Sequence, residues 1–283
     1  MASLAGIVLA GGRSTRMGAP KAALEWHGVS LLQRVSGILA RAVDGPVVVV
    51  RARGQQLPPL PAEMQVVEDE LEGRGPLQGL AAGLAAVERD VEAAYVSATD
   101  VPLLHPAFVR AVLGALDGAE IALPNVRGHR QPLAAAYRTS VRPVVDALLK
   151  EGELRLACLA QRARVRELDA RALLADSTLA AADPALESLL NLNTPADYEA
   201  VRRRPPPEVL VERYAPPAPG AGMPQRWRVR AATLGAAAAA AGLMLSERVV
   251  ATVNGDRIRC DPQLPLVAGD VVALRSAEGD GSE

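Results

Sequence analysis

The chain has 283 residues, 49% apolar and 22% charged, enough to build two cores of ordinary globular composition. With 31 basic against 32 acidic side chains the formal net charge is −1, and aromatics make up only 2%, so neither a global attraction for nucleic acid or anionic lipid nor a set of base-stacking rings is on offer. The two cysteines, Cys158 and Cys260, stand far apart and outside any CxxC or Cys/His cluster, a usage that fits a reducing cytoplasm rather than a disulfide scaffold.

Residues 4–9 form a short apolar run with no basic residue before it, a pattern that predicts a strand and not a leader peptide. No stretch reaches the roughly 18 apolar residues that span a bilayer. Further strands are predicted at 47–50, 65–67, 93–97, 120–123 and 133–137, the early ones continuously apolar as expected where both faces are covered. Between them, Ser30 caps a predicted helix whose Leu31, Leu32, Val35, Ile38 and Leu39 share one face. Pro76 opens another that buries Leu77, Leu80, Leu84 and Val87, and Val141, Val144, Val145 and Leu148 mark a third. This alternation predicts an α/β fold, a doubly wound, Rossmann-like and mostly parallel sheet.

In NLNTPADY, Thr194 as cap, Pro195 at the first helical position and Asp197 at the third start one more helix, which ends in Arg202–Arg204. Three prolines follow and cannot continue it, so the expected division is a domain at 1–204, a stiff linker at 205–207 and a second domain at 208–283. That second domain reads strand (VLVERY), Pro/Gly loop, strand (WRVRA), an alanine helix opened by Thr233, then the alternating runs VVATVNGDRI and DVVALRS, in the order ββαββ. No internal repeat relates the two parts.

The chemistry concentrates in LAGGRSTRMGAPK, directly after the first strand, where a doubly wound sheet binds its ligands. Gly11, Gly12 and Gly18 permit close backbone approach to phosphate oxygens, and Arg13, Arg16 and Lys21 supply positive charge. The spacing is neither GxxxxGK[ST] nor GxGxxG, which disfavours ATPase and dinucleotide-oxidoreductase readings. Asp100, just past the apolar strand AAYVSA, points its carboxylate into the same crevice; it is either an exposed turn acid or a hard oxygen ligand for Mg²⁺, an ion that takes one or two carboxylates together with substrate phosphates and waters. His27, His105 and His129 are dispersed, and no grouping supports zinc or a Ser-His-Asp triad.

The loop LAGGRSTRMGAPK resembles the signature of nucleotidyltransferases of the molybdenum cofactor guanylyltransferase (MobA-like) type. Val67-Glu-Asp69, Gly75-Pro-Leu-Gln-Gly79, Thr99-Asp-Val-Pro102 with Gln131-Pro-Leu133, and Asn191-Leu-Asn-Thr-Pro195 follow in the same order. The resemblance implies Mg²⁺-dependent transfer of GMP from GTP to molybdopterin by a cytoplasmic enzyme. Lys21 and Asp100 are then catalytic, Asp100 the metal ligand, Leu9, Ala10 and Gly11 backbone contacts to the nucleotide, Asp69 a carboxylate near its base or ribose, and Asn191 and Asn193 contacts to the second substrate. On the residues alone, Asp69 is equally a loop acid and Asn193 a turn stabiliser, and Arg127, His129 and Arg130 are either contacts to the pterin or its phosphate or, as the favoured reading, a solvated loop. At the end of the second strand, VVVVRAR departs from the polar residue common in the family, and no contact is carried over there.

Residues 208–277 resemble the β-grasp sulfur carriers of molybdopterin and thiamine synthesis, most clearly in VNGD and AGDVVAL. Those carriers work through a terminal Gly-Gly, whereas this sequence ends EGDGSE, so the expected role is docking of other cofactor-pathway proteins rather than sulfur transfer. Two competing readings are cytidylyl transfer to the same or another small phosphate and a non-catalytic nucleotide-binding scaffold.

Overall fold

The computed structural model describes residues 3–11, 20–69, 75–87, 91–214, 223–246 and 248–276. The chain divides into one unit of Met1–Trp26 with Ser30–Glu199 and a second of His27–Val29 with Ala200–Glu283. The end of the helix that precedes the three prolines therefore groups with the second unit. No helix among the described residues is long and apolar enough to cross a membrane.

The first unit contains, in order, β1 (Ser3–Leu9), a 3₁₀ turn (Lys21–Ala23), β2 (Glu25–Trp26), β3 (Val29–Ser30, shared with the second unit), α1 (Leu31–Ala42), β4 (Val47–Ala52) and β5 (Gln65–Asp69). It continues with α2 (Gly75–Val87), β6 (Val91–Ala98), α3 (Pro106–Gly114), β7 (Ile121–Val126), β8 (His129–Arg130), β9 (Ala134–Arg138) and α4 (Arg142–Lys150). After α5 (Leu156–Leu159), β10 (Val165–Leu168), α6 (Ala170–Leu173) and α7 (Ser177–Ala182), α8 (Pro195–Arg202) leads across the unit boundary. All six strands expected from the sequence form. The main sheet runs β10-β7-β9-β6-β1-β4-β5 with β8 on β7, and β9 is antiparallel to both of its neighbours in an otherwise parallel order.

β1 lies at the middle and is pressed from both sides. A β-carbon added at Gly6 would come within 2.9 Å of Leu39 of α1, while one added at Gly83 of α2 would come within 2.6 Å of Ile7. Gly6 and Ile7 are consecutive and so face opposite ways; α1 covers one face of the strand and α2 the other, each at a distance that only glycine allows. The continuous apolar run of β1 follows from this double burial, and the loop leaving its carboxyl end starts from a strand packed closely on both faces. Ser30 and Gln33 close a reciprocal capping box at the start of α1, as the sequence pattern anticipates for Ser30.

The second unit forms a sheet of order β12-β11-β15-β13-β14, from β11 (Glu208–Tyr214), β12 (Gln225–Arg230), β13 (Val249–Val253), β14 (Asp256–Ile258) and β15 (Val271–Ser276). β11 and β15 are parallel at its centre, and the other pairings are antiparallel. α9 (Leu234–Ala240), capped by the Thr233 hydroxyl, packs Leu234, Ala237 and Ala238 against Val209, Val211, Ala251, Val272 and Leu274. The expected order ββαββ is corrected to ββαβββ. VVATVNGDRI is two strands, because Asn254 and Gly255 both take positive φ, 55° and 90°, and turn the chain back on itself.

Candidate active site

The carboxyl ends of β1, β4, β5, β6 and β7 lie along one edge of the main sheet, since these strands run parallel to one another. Lys21, in the 3₁₀ turn after the glycine loop, reaches Asp100 after β6 across 79 positions of sequence, with Nζ 2.6 Å from Oδ2. The side chains are 23% and 14% exposed, a half-sheltered pair rather than a surface one. Asp100 Oδ1 is buried and has no hydrogen-bond partner among the described residues. No cluster of three or more His, Cys, Asp or Glu suited to a metal occurs among those residues.

The backbone of Asp100 is held as well. Its carbonyl accepts from Leu192 N–H at 2.9 Å, which brings residues 191–193 alongside it. Asn191 donates its amide to Leu189 O, and Asn193 donates its backbone N–H to Asp197 Oδ2 at 3.1 Å. Thr194 and Asp197 exchange hydrogen bonds at the start of α8. These bonds from Thr194, with a smaller contribution from the Lys21 charge, hold the Asp197 carboxyl below its ordinary pKa.

At the root of the glycine loop, Leu9 is paired on both sides, with Ala98 of β6 and Val50 of β4. Ala10 donates its N–H to Val50 O at 2.8 Å and accepts at its carbonyl from Gln55 Nε2 at 2.9 Å. The Ala10 amide is therefore spent inside the fold, and what its backbone can still offer is the second lone pair of its carbonyl. Gly11 is exposed and stands against the backbone of Ala52. Gly12, Arg13, Arg16 and Gly18 lie outside the described residues. Asp69, at the end of β5, is half-buried and in register with Ala52.

Sequence reasoning missed Gln55, whose carboxamide also accepts from Ala52 N at 3.0 Å and so stitches the ends of β1 and β4 together. It lies just beyond the strand end where VVVVRAR offered no contact. On the other flank, Arg127, His129 and Arg130 of the β7–β8 hairpin are all exposed. Glu167 ties Arg130 to Asn125, and the hydrogen bonds from Asn125 and then Arg130 hold its carboxyl below the usual range. Arg127 and His129 occupy the same hairpin, Arg127 with positive φ in its turn.

Residues 6–170 match the MobA-like NTP transferase domain, a span covering more than half of the chain and containing Lys21, Asp69 and Asp100. The chain belongs to the MobA-like NTP transferase family. Among its relatives, the probable molybdenum cofactor guanylyltransferase of Mycobacterium marinum is 40% identical over 204 residues, 70% of this chain and 92% of that protein. The protein of the same description from Mycobacterium avium is 37% identical over 204 residues, covering 70% and 94%. In three dimensions the chain shares its fold with molybdopterin-guanine dinucleotide biosynthesis protein A from Archaeoglobus fulgidus, at a TM-score of 0.57 and 22% identity over 70% of this chain and 96% of that one. The 2-C-methyl-D-erythritol 4-phosphate cytidylyltransferase of Thermus thermophilus has the same fold at a TM-score of 0.52 and 19% identity, covering 71% and 98%. This member of the MobA-like family is a nucleotidyltransferase.

Proposed function

We propose that the enzyme transfers GMP from GTP to the terminal phosphate of molybdopterin, yielding molybdopterin guanine dinucleotide and pyrophosphate. The observation that carries this reading is the 2.6 Å pair of Lys21 and Asp100 at the open end of β1 and β6. The description of the 40%-identical mycobacterial relative supports guanine and the pterin acceptor.

An acceptor phosphate oxygen bonds to the α-phosphorus, the bond from that phosphorus to the bridging oxygen breaks, and the electron pair leaves on pyrophosphate. Transfers of this kind ask the protein for position and charge rather than a nucleophilic side chain. Lys21 exchanges Asp100 for phosphate oxygens, so neither charge is left uncompensated. The unengaged, buried Oδ1 of Asp100 fits a hard cation, and this carboxylate would hold Mg²⁺. When bound, the ion supplies neutralisation and alignment of the triphosphate. Leu9, Ala10, Gly11, Gly12, Arg13 and Arg16 form the nucleotide cradle, with Asp69 toward the base or ribose. Asn191 and Asn193 face the acceptor.

We propose residues 208–283 as a β-grasp domain joined by the 205–207 linker; the parallel β11–β15 pair at the sheet centre and the one helix packed on it among the described residues support this. Its role is to recruit other molybdenum-cofactor enzymes, testable by crosslinking from the exposed Val250 to purified candidates.

The deciding experiment offers GTP, CTP, ATP and UTP with Mg²⁺ and molybdopterin and scores pyrophosphate and dinucleotide. GTP is expected to be used, and Lys21→Met to abolish turnover. Preference for CTP would replace guanylyl by cytidylyl transfer, and GTP binding without product would make the chain a scaffold.

A further inference from the structure

α1 turns an apolar face inward, with Leu31, Leu32, Val35, Ile38 and Leu39 all at 0% exposure. Within the same helix Arg34 is 2% exposed, a position where a guanidinium is costly unless held by partners. One partner is the Trp26 ring, its centroid 4.1 Å from the guanidinium carbon. Another is the Pro102 carbonyl, which accepts from Arg34 Nε at 2.5 Å. Trp26 lies just beyond the 3₁₀ turn that carries Lys21, and Pro102 lies two residues beyond Asp100.

From this geometry we infer that Arg34 is a positioning residue, a buried strut that sets the spacing of the Lys21 and Asp100 segments. The inference rests on the nucleotidyl-transfer reading above. The chain around Asp100 is fixed at further points, by Leu192 N–H on the Asp100 carbonyl and by His105 N–H on Ser188 Oγ at 3.1 Å. Of these contacts, the Arg34 bond belongs to a side chain that also touches the Lys21 segment. A guanidinium stacks through its face while donating in its plane, so one side chain satisfies both contacts at once; an ammonium has no such face. The Lys21–Asp100 distance, and with it the direction of the open Oδ1, depends on this strut.

The test uses the full chain carrying Arg34→Lys, Arg34→Met or Trp26→Leu. Mn²⁺ binding in the presence of GTP, read without turnover from loss of the free-ion electron paramagnetic resonance signal, is compared with kcat and with KM for GTP. Arg34→Met is expected to weaken the Mn²⁺ midpoint and lower kcat by about 10–100-fold while leaving KM for GTP unchanged, as for partners that orient a ligand carboxylate elsewhere. Arg34→Lys recovers part of the loss. A folded Arg34→Met enzyme with native midpoint and kcat overturns the inference. Should that variant fail to fold, native Mn²⁺ binding in both Arg34→Lys and Trp26→Leu overturns it equally. A native chain inert toward every nucleotide refutes the proposed reaction instead, and the Mn²⁺ measurement still reads the strut.

Discussion

Asp100→Asn keeps the shape of the side chain and removes its charge, and its effects on stability and on turnover should separate. At 2.6 Å and an effective dielectric constant of about 20, the gross attraction to Lys21 is about 6 kcal/mol. Against it stands desolvation of two groups that keep only 23% and 14% of their side-chain exposure, at several kcal/mol per ion for full burial. The buried Oδ1 without a partner adds a further penalty of about 1–3 kcal/mol. These terms nearly cancel for the intact pair, but the amide leaves the sheltered Lys21 ammonium opposite a neutral group, so the expected loss of unfolding free energy is about 1–3 kcal/mol. Turnover, by contrast, should fall at least about 100-fold, the scale of losing one preorganised electrostatic group. Urea denaturation gives the first quantity from the midpoint at constant slope, and pyrophosphate release with GTP, Mg²⁺ and molybdopterin gives the second. A variant that loses more than about 3 kcal/mol yet retains native turnover would refute the reasoning, since Asp100 would then be structural.

Three other outcomes follow from local geometry. Gly75→Ala places a β-carbon at φ +68° and 3.1 Å from the Leu154 carbonyl, so the backbone strain alone should cost about 1–2 kcal/mol in thermal or urea unfolding. Ser30→Ala removes the hydroxyl half of the α1 capping box and should cost about 1 kcal/mol by the same assay, with Asn in its place restoring most of it. Asp197→Asn should change the pH dependence of stability. Because folding lowers this carboxyl's pKa, its contribution is complete above the unfolded value of about 3.9 and disappears as pH falls through the lower folded value, so native and variant curves should differ at pH 5–8 and converge in acid.

The parts of this fold that were legible in the sequence are those decided by neighbours in the chain. Ser30, Thr194 with Asp197, and Thr233 read as helix starts because their side chains bond the backbone two or three residues on. The run of β1 read as a buried strand for the same local reason. Arg34 was illegible because a lone cation in an amphipathic helix reads as solvated; its signal, visible afterwards, is its spacing from Leu31 and Ile38 on the buried face. Gln55 hid in a polar stretch after β4, and the antiparallel direction of β9 depends on pairings with β6 and β7 that no local pattern encodes. In the candidate site, the order of motifs along the chain suggested that Lys21 and Asp100 meet. The burial of one carboxylate oxygen without a partner is a property of the folded chain only.

The bond from Leu192 N–H to the Asp100 carbonyl has a consequence for biogenesis. A ribosome that has released the whole central sheet into solvent has still not delivered the amide that seats this carbonyl, 92 positions downstream. Nascent or prematurely terminated polypeptides ending before that amide would carry every acidic and basic group of the pair but lack this tether on the acid's backbone.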